Sequence, residues 1–365
     1  MNRQNITVYR EAGRYAGWPA NYGIWSWGSE IVLGFTVGFH KTDESFHARN
    51  TSRPFETMQA RSLDGGQSWD VRKMPCRTPG GRGLSADEHM DPGMGVGDVL
   101  DGENAPADCD GGIDFKHPDF ALMCAKTGLG PGVRSFFYVT TDRCLSWEGP
   151  YILPMYEQTG IAARTDYLVS GREECTLFLT ANKRNGEEGR VFCARTKNGG
   201  RSFDFLSWIG PEPEGFSIMP ASVRLSQSRM LVAVRCRGGG QGIHGAKNWI
   251  DLYGSDDDGS SWGYLNRPVA NTGVGGNPPT LTMLRDGRLC LTYGFRDSPY
   301  GIRARISDDS GESWGKEIVL RDGGGNHDLG YSRTVQRPDG KIVTAYYFND
   351  TPEGERYIAA TIWEP

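Results

Sequence analysis

No stretch of the 365 residues is apolar for long enough to span a bilayer, and Met1 to Arg10 contain no apolar signal core. The expectation is a soluble protein with no membrane partner, cytoplasmic if residue 1 is the natural start and secreted or periplasmic if a leader has been removed. An excess of one charge is also lacking, since 40 Lys and Arg stand against 45 Asp and Glu for a formal net charge of −5. With no basic stripe, nucleic acid is not expected as a partner, and no like-charged block suggests an interaction tail. The eight cysteines form no CxxC pair and no zinc-ligand spacing. HExxH and EF-hand patterns are missing, and Gly93-Met94-Gly95-Val96-Gly97 lacks the strand-to-helix setting of a nucleotide loop. No metal and no cofactor are therefore expected. Helical periodicity is nearly absent too, which leaves an all-β chain.

Glycine is what the chain has in plenty, 51 residues of it, with 20 prolines and 37% hydrophobic residues. These residues punctuate short alternating segments, as all-β turns demand. One segment, Ser307-Asp308-Asp309-Ser310-Gly311-Glu312-Ser313-Trp314, is a repeat unit. A hydroxyl residue, Asp two later, Gly two after that, then Ser and Trp describe a tight hairpin turn. The carboxylate accepts turn N–H groups, glycine takes a positive φ, and the ring fills the space between strands.

The same frame returns as Ser255-Asp257-Gly259-Ser261-Trp262 and Ser62-Asp64-Gly66-Ser68-Trp69. Two further copies are altered, Thr196-Asn198-Gly200-Ser202-Phe203 and Thr140-Asp142-Cys144-Ser146-Trp147. The copies begin at 62, 140, 196, 255 and 307, so the intervals are 78, 56, 59 and 52 residues. Intervals near 50 with several strands in each predict a β-propeller. Six strand–turn–strand units predict six blades of four-stranded antiparallel sheets in a single domain, 1–365. The sixth unit has no staple turn before Tyr357–Trp363, and Ile6-Thr7-Val8-Tyr9 is expected to supply a strand to it and close the ring. Cys76 to Gly112, rich in Gly, Asp and Pro, is read as a lid or wall that carries His89 and Asp91.

Staple turns on six blades resemble those of the sialidase superfamily, whose repeat is called the Asp-box or BNR repeat, and the likeness runs through the whole chain. It is nearest to uncharacterised sialidase-like repeat proteins. The resemblance implies an arginine triad for a substrate carboxylate, a tyrosine nucleophile assisted by a glutamate, and an aspartic acid as proton donor. Guanidinium forks match a carboxylate bidentately, and a phenol near pKa 10 needs help to attack. Gly330-Tyr331-Ser332 matches the nucleophile segment, and Arg235 stands where the family keeps its second arginine. Arg296 or Arg303 would be the third. Met219 replaces the glutamate, and Gly17-Trp18-Pro19 replaces the first arginine's Arg-Ile-Pro. The acid would be Asp43 or Glu44, with His40 and His47 beside them.

Residues at the starts of inner strands would line the mouth of a propeller. They are His117 and Asp119, Arg164 and Asp166, Arg235, Arg296, and His327, Asp328 and Tyr331. Carboxylates beside arginines and imidazoles are the materials of glycosyl transfer. The catalytic candidates are Tyr331, Asp119, His117 and Asp43; the substrate-binding ones are Arg235, Arg296, Arg303, Arg164, Asp166, Asp328, Trp18 and His40. Each has a plainer reading: Tyr331 as a core phenol, the arginines as partners of blade carboxylates, Asp114 and Asp119 as turn caps, and Trp18 as a blade plug rather than a sugar platform. The leading expectation is an exo-acting glycoside hydrolase for an acidic sugar, a sialic-acid relative or a uronate-bearing glycan end. A non-catalytic glycan-binding propeller comes second and a polysaccharide lyase third. Carbohydrate is the expected partner, and the number of subunits is left open.

Overall fold

The computed structural model describes residues 2–43, 45–78, 84–85, 90–91, 105–240 and 242–365. Six antiparallel sheets form the blades of a propeller. Three blades are plain four-stranded meanders. One comprises Tyr167–Val169, Cys175–Asn182, Glu188–Thr196 and Asp204–Trp208. The next comprises Phe216–Arg224, Met230–Gly238, Lys247–Ser255 and Gly263–Val269. The third comprises Thr280–Met283, Leu289–Phe295, Gly301–Ser307 and Ile318–Arg321.

The other three depart from that plan in ways that matter. In the first blade the inner strand is split: Arg14–Gly17 and Gly23–Trp27 pair with opposite ends of Glu30–Phe39. The break holds Trp18 and the one-turn helix Pro19–Tyr22. The second blade shows three strands among the described residues, Ala121–Lys126, Ser135–Thr140 and Glu148–Ile152. In the sixth, Arg3–Tyr9 pairs antiparallel with Tyr357–Trp363, outside Ile342–Phe348 and Gly330–Gln336. That is the expected clasp, and it covers the edge of the last sheet.

The repeat turns fold as their residues dictate. The Ser62 hydroxyl accepts the Gly66 N–H at 2.7 Å, while Asp64 accepts the N–H groups of Gln67 and Ser68 at 3.0 and 2.9 Å. The Ser68 hydroxyl, foremost among these bonds, holds the Asp64 carboxyl down to about 2. In the altered copy, Cys144 stands at the glycine position with φ of 62° and still donates its N–H to Thr140. The turn therefore survives loss of its glycine at the expense of a strained residue.

Adjacent blades pack through their apolar faces; Met230, Val232 and Val234 meet Phe178, Val191 and Cys193 across one seam. Each aliphatic side chain so buried contributes about 1.5–3 kcal/mol before entropy is counted. Strand register gives the ring two distinct faces. Met230 lies opposite Ser255, where a repeat turn begins, and Gly238 lies opposite Lys247 at the far end. The turns thus occupy one face, and the ends of the second strands occupy the other, which we call the mouth.

Candidate functional site

Tyr331 opens the inner strand of the sixth blade at the mouth. Its φ of 51° is left-handed, as are those of Met219 at 52° and Trp18 at 58°. Three bulky non-glycine residues held this way, two on inner strands and Trp18 in the break of a third, represent about 1–3 kcal/mol of strain each, of the kind that collects at functional sites. Asn277 does the holding for Tyr331: its Oδ1 accepts the Tyr331 N–H at 2.7 Å, and its Nδ2 donates to the Leu329 carbonyl at 3.0 Å. A Cβ on Gly330 would come within 2.4 Å of the Asn277 amide, so only glycine lets the two approach.

Arginines surround the phenol. Arg235 Nη1 donates to the Tyr331 hydroxyl at 3.2 Å and to Met219 Sδ at 3.5 Å. Arg296 lies 5.5 Å from the centre of the Tyr331 ring and also covers the ring of Phe46. Its guanidinium donates to the carbonyls of Leu329 and Gly276, both at 3.0 Å, and to the Tyr347 hydroxyl at 2.6 Å. Arg235 and Arg237 both donate to the carbonyl of Gly275. Among the described residues none of these three guanidiniums has a carboxylate partner. Burial works to push the Tyr331 phenol up, but the charges of Arg235, Arg296 and Arg164 outweigh it and hold the phenol below its ordinary value. A near-ultraviolet phenolate titration should therefore show an early tyrosine transition that is absent in Tyr331→Phe; retention of that transition in the variant would place it elsewhere.

Behind this centre Asp328 is fully buried and forms a hub. It accepts from His47 Nδ1 at 2.6 Å, Ala48 N at 3.0 Å, Tyr347 at 3.0 Å and Arg356 Nε at 2.8 Å. Burial alone would raise its carboxyl, yet His47, Arg356 and the Ala48 N–H keep it far below the usual carboxylate range. Burial also pushes His47 down to about 4, so at neutral pH the imidazole is uncharged and its contact with Asp328 is a hydrogen bond. Asp328 is thus a positioning residue: it orients Tyr347, which in turn receives Arg296.

The remaining candidates separate. Arg164, at the mouth end of the third blade's inner strand, pairs with Glu188. Two residues on, Asp166 is turned into the axial channel, where it accepts the Ser222 N–H at 3.0 Å and burial raises it to about 6. That channel is a cavity of about 310 Å³ that also holds Arg333. Trp18 is completely buried, tilted against Tyr15 and edge-on to His47, which makes it a plug and not a platform. Arg303 turns into its own blade, donating to the carbonyls of Arg321 and Pro299, because it sits on the third strand and not beside the axis. Between the two arginines left open by spacing, Arg296 is the one at Tyr331. His40 lies at the edge of the first blade, bridged to Arg49, with burial lowering its pKa. Asp43 is exposed on the loop after Phe39, bonded to the Ser45 N–H at 2.9 Å. It borders a cavity of about 440 Å³ that shares Phe46 with the Tyr331 site, and its bonds to Ser45 hold it below the usual range.

His117 and Asp119 require a correction. Ala121 lies opposite Thr140, where a repeat turn begins, so the residues before it are on the turn face and not at the mouth. Asp119 there pairs with Arg143 at 2.6 Å. The segment 114–119 leads into a second strand, whereas its spelling suggested the start of an inner one. Glu44 and His89 lie outside the described residues, as does most of the stretch read as a lid. The residues that sequence reasoning passed over are Asn277, Gly275, Gly276, Arg237 and Tyr347. A signal for the first three was there, since Gly273-Val274-Gly275-Gly276-Asn277 puts glycines immediately ahead of a strand start, and Gly275 and Gly276 have φ of 71° and 70°.

Known structures share the six-bladed propeller fold. A protein of unknown function from Dyadobacter fermentans is 19% identical, with 98% of this chain and 97% of that one covered and a TM-score of 0.70. A sialidase from Streptococcus pneumoniae is 11% identical over 97% of this chain and 70% of its own, with a TM-score of 0.60. An α-L-arabinofuranosidase from Fusarium graminearum is 11% identical over 99% and 97%, with a TM-score of 0.58. No family model matches the chain, and no curated protein does. At these identities the likeness is one of fold.

Proposed function

We propose that the protein is a sialidase-like glycoside hydrolase that acts at the end of an acidic glycan, with Tyr331 as the reacting group. The observation that carries this reading is a half-buried phenol held below its ordinary pKa chiefly by Arg235 and Arg296, which have no carboxylate partner among the described residues. Arg235 and Arg296 would take the sugar carboxylate. The phenolate would attack the anomeric carbon, the glycosidic oxygen would leave with a proton, and water would release the glycosyl group from Tyr331. Where Met219 replaces a base, the field of Arg235, Arg296 and Arg164 stabilises the phenolate that a base would otherwise generate. The leaving oxygen's proton would come from a carboxyl group; of the expected donors that the structure describes, Asp43 lies on the mouth side, and its bonds to Ser45, which hold it below the usual range, would have to break for it to serve.

A second reading is favoured by one specific feature: no carboxylate among the described residues is hydrogen-bonded to Tyr331. A lyase needs none. Arginine would neutralise a uronate, the Tyr331 phenolate would take the C5 proton, and the resulting phenol would return it to the leaving oxygen. Incubation with sialylated and uronate-bearing glycans separates the two. Hydrolysis is expected to release a reducing sugar without ultraviolet absorbance, whereas elimination yields an absorbing unsaturated uronate. Saturable binding without any product after long incubation would reject both and leave a glycan-binding propeller.

A further inference from the structure

Next to the central site, between the fourth blade and the connection 211–215 that leads into it, lies a cavity of about 770 Å³ that the reading above does not use. Its inner wall is Phe216 and Arg237, and both belong to the Tyr331 cluster as well. Arg235 lies 5.3 Å from the Phe216 ring centre and Arg237 lies 4.5 Å from it. Arg235 and Arg237 also share the Gly275 carbonyl. The cavity is therefore contiguous with the place where a sugar carboxylate would sit.

Its chemistry is aromatic and cationic. Trp249, half-buried, lies beneath Arg267, whose guanidinium centre is 4.5 Å from the ring. Asp251 is already neutralised there, since it accepts from Arg267 Nε at 2.7 Å and from Trp249 Nε1 at 2.7 Å. Among the described residues Arg237 hydrogen-bonds an amide and a carbonyl, Asn248 Oδ1 at 3.0 Å and Gly275 O at 2.7 Å. Burial, and then repulsion from Arg235, pushes it down to about 10. Lys247 is exposed at the rim and has no ion pair among the described residues, while Glu214 is the one lining carboxylate without a salt bridge. A partly buried guanidinium with no counter-charge is destabilising until an anion arrives.

We propose that this cavity is a second sugar subsite, which takes an acidic residue directly linked to the one at Tyr331, so that the preferred ligand is an acidic oligosaccharide and not an isolated acidic end sugar. The inference rests on the acidic-sugar reading of the central site. Arg237 and Lys247 receive the second anion, and Phe216 and Trp249 line the apolar wall along which a pyranose ring lies. The first anion reaches Arg235 and Arg296, and the shared Gly275 carbonyl fixes the spacing of Arg235 and Arg237.

The test is calorimetric binding of oligosialate and oligouronate monomers, dimers and trimers to the Tyr331→Phe protein, which prevents turnover. One of the two series should gain roughly tenfold in affinity from monomer to dimer. The gain should shrink with added salt and disappear in proteins that also carry Lys247→Glu or Arg237→Gln. Lys247 is exposed and unpaired, so its replacement leaves the fold intact and keeps the comparison valid. Equal affinity for monomer and dimer overturns the subsite while leaving the central site standing. So does a length gain that persists in Lys247→Glu, or neutral oligosaccharides that bind as tightly as acidic ones. If neither series binds at any length, the acidic-sugar reading falls and the subsite falls with it.

Discussion

Tyr331→Phe is expected to lower turnover of any glycan the protein processes by about a thousandfold or more, with little change in KM or in melting temperature. The phenol is the reacting group in both the hydrolytic and the eliminative reading, so its removal abolishes either. Binding is expected to persist because Arg235 and Arg296 remain. Stability is expected to persist because the hydroxyl's bond to the protein is the 3.2 Å contact from Arg235, a loss of about 1 kcal/mol. Steady-state kinetics and a thermal melt on the two proteins check this. Undiminished kcat in the Phe variant would move the chemistry away from Tyr331.

The largest effect on stability is expected at Asp328. Asp328→Ala removes the acceptor for His47, the Ala48 N–H, Tyr347 and Arg356 in one step. Arg356 is then a buried guanidinium without a counter-charge, its side chain only 2% exposed. Breaking a buried pair from one side costs about 3–5 kcal/mol, a large part of what holds a protein folded. Denaturant titration should show the midpoint falling accordingly. A surviving fraction should bind acidic sugars more weakly, because Tyr347 would no longer be held to receive Arg296. An unchanged midpoint would mean that water replaces the carboxylate at no penalty, contrary to its complete burial.

How much of this was legible beforehand follows from the range of the forces involved. The repeat turns are local: Ser, Asp, Gly and Trp within eight residues determine their own hydrogen bonds, and the propeller followed from their spacing, while the count of six blades came from the strand–turn–strand units. The closing strand was legible because an unpaired sheet edge and an apolar alternating segment at opposite ends of the chain require each other. The site was legible only in part. Tyr331 and Arg235 were visible through resemblance, but choosing Arg296 over Arg303 depends on whether a residue ends a second strand or sits within a third, a difference of seven positions that spacing does not resolve. His117 and Asp119 were misplaced for a related reason. In the second blade the repeat interval is stretched, so the strand that follows them was counted as the inner one. Asn277 was passed over because its amide contacts come from residues 52 and 54 positions away. Contacts of that kind exist only once the ring is assembled.

The pairing of Arg3–Tyr9 with Tyr357–Trp363 also has a temporal meaning. On the ribosome the first strand emerges long before its neighbour exists, and it must wait, solvated and unpaired, while more than three hundred residues are made. The sixth blade, which carries Tyr331, is therefore the last to be finished. A nascent chain can stack its middle blades as they appear, but the sheet behind Tyr331 is complete only when Tyr357–Trp363 pairs with Arg3–Tyr9, so loss of the last strand would leave the ring open.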